Sequence, residues 1–262
     1  MNIKTRQFSF KVKSGEISAS LITPPTTNAR MAVVLPGAAY SCKQPLLYYS
    51  TQMLLKNQFK VLTINKLYAE DPQWLALTKT GDALRAVEED SIHLFQQITE
   101  TFLEIDTVLA RSLGTYALAC ALEKGVVAPR HIIWQCPSLN HKWNALKDCK
   151  ARSLGIIGTH DERYATAQPY LPKDRLIIDD ADHALEFSDP VKTIDILKQV
   201  IRTTEEWLLS PLETPIDTTL TDHTLSLSYE ERIETHQSAL QLVRDLQEAG
   251  KELHARQPKS LT

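Results

Sequence analysis

Cysteine is scarce and unpatterned. The 262 residues hold four, Cys42, Cys120, Cys136 and Cys149, with no C-x-x-C pair and no regular spacing. This argues against a disulfide framework and a cysteine-built zinc site, and leaves reduced thiols of the cytosolic kind. A charge excess is also missing. The net charge is -3 and the pI is about 6.2, so nothing marks the chain for nucleic acid or an anionic membrane. No apolar run is long enough to span a bilayer. The opening MNIKTRQFSFKVKSGEISASL lacks the apolar core of a signal peptide. There is no repeat and no low-complexity tract. A cytoplasmic protein with no nucleic-acid or membrane partner is expected.

What is present is a globular mix, 43% hydrophobic and 23% charged, in a chain long enough for one large or two small domains. QFSFKVK puts Phe8, Phe10 and Val12 at different phases of a short strand pattern, and KSGE followed by ISASLIT suggests a hairpin. MAVVLPG, FKVLTINK, IDTVLA, HIIWQCP, SLGIIG and RLIIDD are short apolar runs, read as buried strands. QPLLYYSTQMLLKNQ, GDALRAVEEDSIHLFQQITETFL and PVKTIDILKQVIRTTEEWLL have helical spacing, the second with Asp82 as its expected N-cap. Strands alternating with helices predict a doubly wound, mostly parallel α/β sheet with an antiparallel N-terminal hairpin, over residues 1–209.

Beyond Leu209 the composition changes. Residues 210–228, rich in Pro, Thr and Ser, are expected to form a linker or extended arm. Residues 229–262 read as an amphipathic helix, with Ser228 and Glu231 fitting a capping box. Ile233, Leu240, Val243 and Leu246, flanked by Ala239 and Leu242, form its apolar stripe. A lone helix cannot bury such a stripe, so it must dock on its own domain or on another subunit of a homo-oligomer.

Ligands of open parallel sheets bind at the carboxyl ends of the strands. There this chain delivers Arg111 and Ser112, then His160 and Asp161, then Asp182 and His183, with a Gly37-Ala38-Ala39 loop after the first central strand. The order Ser, Asp, His is that of a nucleophile elbow followed by its acid and base. With ARSLG as elbow, GTHD as acid turn, DADHALEF as base loop and VLPGAAY as oxyanion loop, residues 6–209 resemble an α/β-hydrolase of the small, capless kind, similar to dienelactone-hydrolase-like esterases. The elbow departs from G-x-S-x-G at Ala110, which fits if that residue keeps a negative φ.

The resemblance implies hydrolysis of an ester, thioester or amide. Ser112 would attack, His183 would act as base and then acid, and Asp161 would orient the imidazole. The N–H groups of Ala38 and Leu113 would form the oxyanion hole. Glu162 is a second choice of acid and His160 a rival base. Asp179, Asp180 and Asp182 read as a solvated acidic loop rather than a metal cluster. Tyr40 and Tyr164 are candidate pocket walls. His93, His131, His236 and His254 read as surface or packing residues. The expected substrate is a small-molecule acyl compound, with no cofactor or metal, and activity should rise with pH as the imidazole loses its proton. Two other readings stay open: an acyltransferase on the same triad, and a catalytically silent hydrolase fold serving as a binding or assembly module.

Overall fold

The computed structural model describes residues 3–26, 29–66, 68–211, 227, 228, 230, 231, 233, 234, 237 and 238. The chain divides into two units, Met1–Ser210 and Pro211–Thr262. In the first, eight strands form one sheet: β1 (Lys4–Val12), β2 (Gly15–Thr23), β3 (Met31–Leu35), β4 (Lys60–Asn65), β5 (Thr107–Arg111), β6 (His131–Gln135), β7 (Arg152–Gly158) and β8 (Asp174–Ile178). Their spatial order is β1-β2-β4-β3-β5-β6-β7-β8. β1 and β2 pair antiparallel, as do β2 and β4, and every later pair is parallel.

The helices are α1 (Pro45–Lys56), α2 (Pro72–Thr80), α3 (Ala83–Phe102), α4 (Leu113–Glu123), α5 (Asn144–Lys147), α6 (Tyr164–Ala167) and α7 (Pro190–Leu209). Side chains alternate across a strand, so each central strand feeds two cores. Val108 and Ala110 of β5 join Leu94, Phe95, Ile98 and Leu118 beneath α3 and α4. Leu109, between them, joins Leu47, Leu54, Val200 and Trp207 beneath α1 and α7. Each such buried aliphatic contributes about 1.5–3 kcal/mol relative to exposure. These two cores hold the sheet rigid beneath the loops at its carboxyl edge.

The N-terminal strand departs from expectation. Phe8, Phe10 and Val12 are two residues apart and share one face, where Phe10 is buried and the other two pack on the same core. Phe8 meets Phe102 of α3 edge to face, with centroids 5.3 Å apart. Asp82 stands at the N-cap of α3, but its carboxylate accepts from the Thr80 hydroxyl at 2.8 Å instead of capping the helix. α2 carries no apolar stripe and has no buried residue. Its punctuation is local: Asp71 accepts from the Gln73 N–H at 2.9 Å, Pro72 opens the helix, and Gly81 ends it at φ 82°. Among the described residues no helix is long and apolar enough to cross a membrane.

In the second unit, Glu230, Glu231, Ile233, Glu234, Gln237 and Ser238 are helical. The Ser228 N–H donates to Glu231 Oε2 at 2.7 Å, and the Glu231 N–H donates to Ser228 Oγ at 3.3 Å, a reciprocal capping box. Residues 212–226 of the expected arm lie outside the described residues, as do Ala239, Leu240, Leu242, Val243 and Leu246 of the expected stripe.

Candidate active site

β3 and β5 are neighbours in register, with Leu35 opposite Ala110. The loop after β3 and the turn after β5 therefore emerge side by side. Ser112 occupies that turn at φ 50° and ψ −119°, with α4 starting at the next residue. Such a conformation costs a non-glycine residue about 1–3 kcal/mol. Three bonds hold it. The Ser112 N–H donates to Gln135 O at 3.0 Å, and its carbonyl accepts from the Thr115 N–H at 2.8 Å and the Thr115 hydroxyl at 2.5 Å. Ala110, where the family pattern has glycine, lies within β5 and is not among the positive-φ residues, so its methyl costs no strain.

Two glycines allow the close packing. A Cβ on Gly114 would lie 2.6 Å from Pro36 O and 2.9 Å from Leu35 Cβ. A Cβ on Gly37 would lie 3.3 Å from Ser112 Cβ. The backbone of the Pro36-Gly37-Ala38 loop thus runs directly beside the serine. The Ala38 carbonyl is tied to the Ala69 N–H at 2.9 Å. Leu113 is the first residue of α4, so its N–H has no acceptor within the helix. Leu113 packs with Tyr116 and Ala117 of α4 and with Ala38, Tyr68 and Trp74, forming an apolar wall beside the elbow.

The acid turn and base loop arise from β7 and β8. Gly158 ends β7, and a Cβ there would fall 2.1 Å from Ala181 O. This glycine lets the loop after β8 cross over the turn after β7. The His160 N–H donates to Ala181 O at 2.9 Å, and the Asp180 N–H to the Thr159 hydroxyl at 2.9 Å. Asp182 accepts from the Ala184 N–H at 2.8 Å and turns the chain at His183. His183 Nδ1 then lies 2.6 Å from Asp161 Oδ2, and His183 Nε2 lies 2.8 Å from Ser112 Oγ. With the proton on Nδ1 donated to Asp161, Nε2 is the acceptor of the serine hydroxyl.

The Asp161 side chain is fully buried, and 31% of the His183 side chain is exposed. Burial acts to raise the Asp161 pKa. The His183 hydrogen bond, the Arg163 N–H at 2.9 Å and the nearby positive charges outweigh it and hold the carboxyl below its ordinary value.

The structure thus brings Ser112, Asp161 and His183 into one hydrogen-bonded line. The remaining side-chain candidates take no part in that line. His160 is exposed. Glu162 pairs with Arg163 at 2.6 Å. Asp179 and Asp180 face solvent. Tyr164 opens α6 and packs partly buried on the α3–α4 core. Tyr40 donates no bond into the site: its hydroxyl accepts from the Leu46 N–H of α1 at 3.0 Å. The Tyr40 ring lies under Arg111, 4.0 Å from the guanidinium carbon to the ring centroid. Sequence reasoning gave Gly158 and Arg111 no role. A Gly closing an apolar run just before the acid was the available signal for the first.

No family model matches the chain, and no curated protein matches its sequence. Solved structures do match. A dienelactone hydrolase from Anabaena variabilis superposes with a TM-score of 0.62 at 18% identity, covering 80% of this chain and 98% of that one. The fold is that of an α/β-hydrolase. A carboxylesterase from Bacillus subtilis gives a TM-score of 0.54 at 12% identity, over 80% of this chain and 94% of that one. A serine hydrolase without lid from Xanthomonas campestris gives 0.54 at 13% identity, over 79% and 97%.

Proposed function

We propose that the protein is a serine hydrolase that cleaves a carboxylic ester or thioester through an acyl-enzyme. The observation that carries this is the line Ser112 Oγ, His183 Nε2, His183 Nδ1, Asp161 Oδ2, with contacts of 2.8 Å and 2.6 Å. Ser112 Oγ attacks the acyl carbon as its proton passes to His183 Nε2. The carbonyl π electrons move onto oxygen, which the N–H groups of Ala38 and Leu113 receive. The bond to the leaving oxygen or sulfur then breaks, and His183 returns the proton to that atom. Water enters, His183 takes a proton from it, and the resulting hydroxide attacks the acyl-serine. The carboxylic acid leaves and Ser112 regains its hydrogen.

Asp161, held as a carboxylate, stabilises the imidazolium formed in both halves. Each oxyanion donor is worth about 2.7–4 kcal/mol at the transition state. The apolar wall of Leu113, Tyr68 and Trp74 suits the acyl chain. The test is pre-steady-state hydrolysis of p-nitrophenyl esters and acyl thioesters of graded chain length. A burst equal to the enzyme concentration, absent in Ser112→Ala, supports the reading. Turnover retained by Ser112→Ala refutes it. A competing alcohol that captures most of the acyl group would assign acyl transfer instead of hydrolysis.

A further inference from the structure

Arg111 ends β5 immediately before Ser112 and is only 2% exposed. Burying a guanidinium in this way is costly unless its donors are used. Among the described residues no carboxylate lies within ion-pair distance of it. Its terminal nitrogens turn to the base loop and to Cys136 instead, while Nε is buried without a hydrogen-bond partner. One terminal nitrogen donates to His183 O at 3.0 Å and Ala184 O at 3.2 Å. The other approaches Cys136 Sγ at 3.4 Å. The flat face of the guanidinium lies on the Tyr40 ring, and Tyr40 follows the Ala38 loop. One side chain therefore links the elbow, the end of β6, the oxyanion loop and the base loop.

The geometry points to Arg111 as the positioning residue of this site: its guanidinium fixes the backbone that carries His183 against the elbow. The catalytic part of this inference rests on the serine hydrolase reading; the effect on the base loop does not. Two carbonyl bonds at consecutive residues restrain the loop where a single bond would leave a pivot, and a guanidinium supplies both from one nitrogen. Burial pushes the Cys136 thiol up to about 11, so it faces Arg111 as a neutral group at physiological pH.

The experiment compares wild type, Arg111→Met and Arg111→Lys in the full chain, by amide hydrogen exchange over residues 182–186 and by ester kinetics. In Arg111→Met exchange at those residues quickens by roughly tenfold or more while the strands of the sheet exchange as in wild type. kcat falls by roughly tenfold to a hundredfold while KM changes little. Arg111→Lys keeps a cation on a shorter side chain that lacks the planar face and the second terminal nitrogen, so the loop stays loosened and kcat stays about tenfold low. Unchanged loop exchange in Arg111→Met, or wild-type kcat in Arg111→Lys, overturns the inference. Should Arg111→Met fail to fold, Arg111→Lys decides: quickened loop exchange with low kcat supports the inference, and wild-type values refute it. Should wild type show no turnover, the hydrolase reading fails separately, and the loop exchange still decides the positioning claim.

Discussion

Ser112 sits in a conformation that an ordinary helix start does not require, and the atoms around it are aligned for proton transfer. Ser112→Ala should lower kcat by roughly ten-thousand-fold or more with little change in stability, measured by steady-state kinetics and thermal melts. Asp161→Asn should cost roughly 10³–10⁴ in kcat, because an amide cannot hold the imidazole in the same tautomer. Both effects read the same line of contacts, so the double variant should be little worse than Ser112→Ala alone. Ser112, Asp161 and His183 were readable because chain order and strand ends are sequence properties. Arg111 was not, because its partners are carbonyls 72 and 73 residues away along the chain.

At the level of elements, two glycines determine how closely loops approach one another. Gly158→Ala would drive a methyl into Ala181 O and displace the loop carrying His183. A fall in kcat/KM of roughly a hundredfold is expected, larger than the accompanying loss of thermal stability would explain. Gly114→Ala would press on Pro36 O and move the Pro36-Gly37-Ala38 loop, the proposed oxyanion loop, away from the elbow. Its expected cost approaches that of losing one oxyanion donor, about 2.7–4 kcal/mol in transition-state binding. Strong periodicity made α1, α3 and α7 legible before any coordinates. α2 escaped because none of its residues is fully buried and Trp74 alone of them joins a core cluster, too little for a periodic pattern to mark. Its Asp-Pro start and glycine stop were in the sequence, but such signals mark ends and not the element between them.

On the scale of the whole molecule, two buried carboxylates couple folding to pH. Asp106, at the opposite end of β5 from Ser112, lies 3.3 Å from His131 and accepts from the Thr107 hydroxyl at 2.8 Å. Burial acts to raise its pKa, but His131, Thr107 and Arg30 hold it below the ordinary value. Asp161 is lowered in the same sense. A carboxyl with a depressed folded pKa stabilises the fold above its unfolded value, near 3.9, and that contribution is lost as pH falls through the folded one. The melting temperature should therefore hold down to about pH 4.5 and drop steeply below about pH 4. Asp106→Asn should flatten part of that drop, as differential scanning calorimetry would show.

The central claim is that His183 activates the Ser112 hydroxyl, and fluorophosphonate labelling followed by intact-mass measurement and peptide mapping tests it most directly. The account predicts one adduct per chain, on Ser112, absent from Ser112→Ala and strongly slowed in His183→Ala. An unlabelled wild-type chain, or an adduct that survives Ser112→Ala, would contradict it.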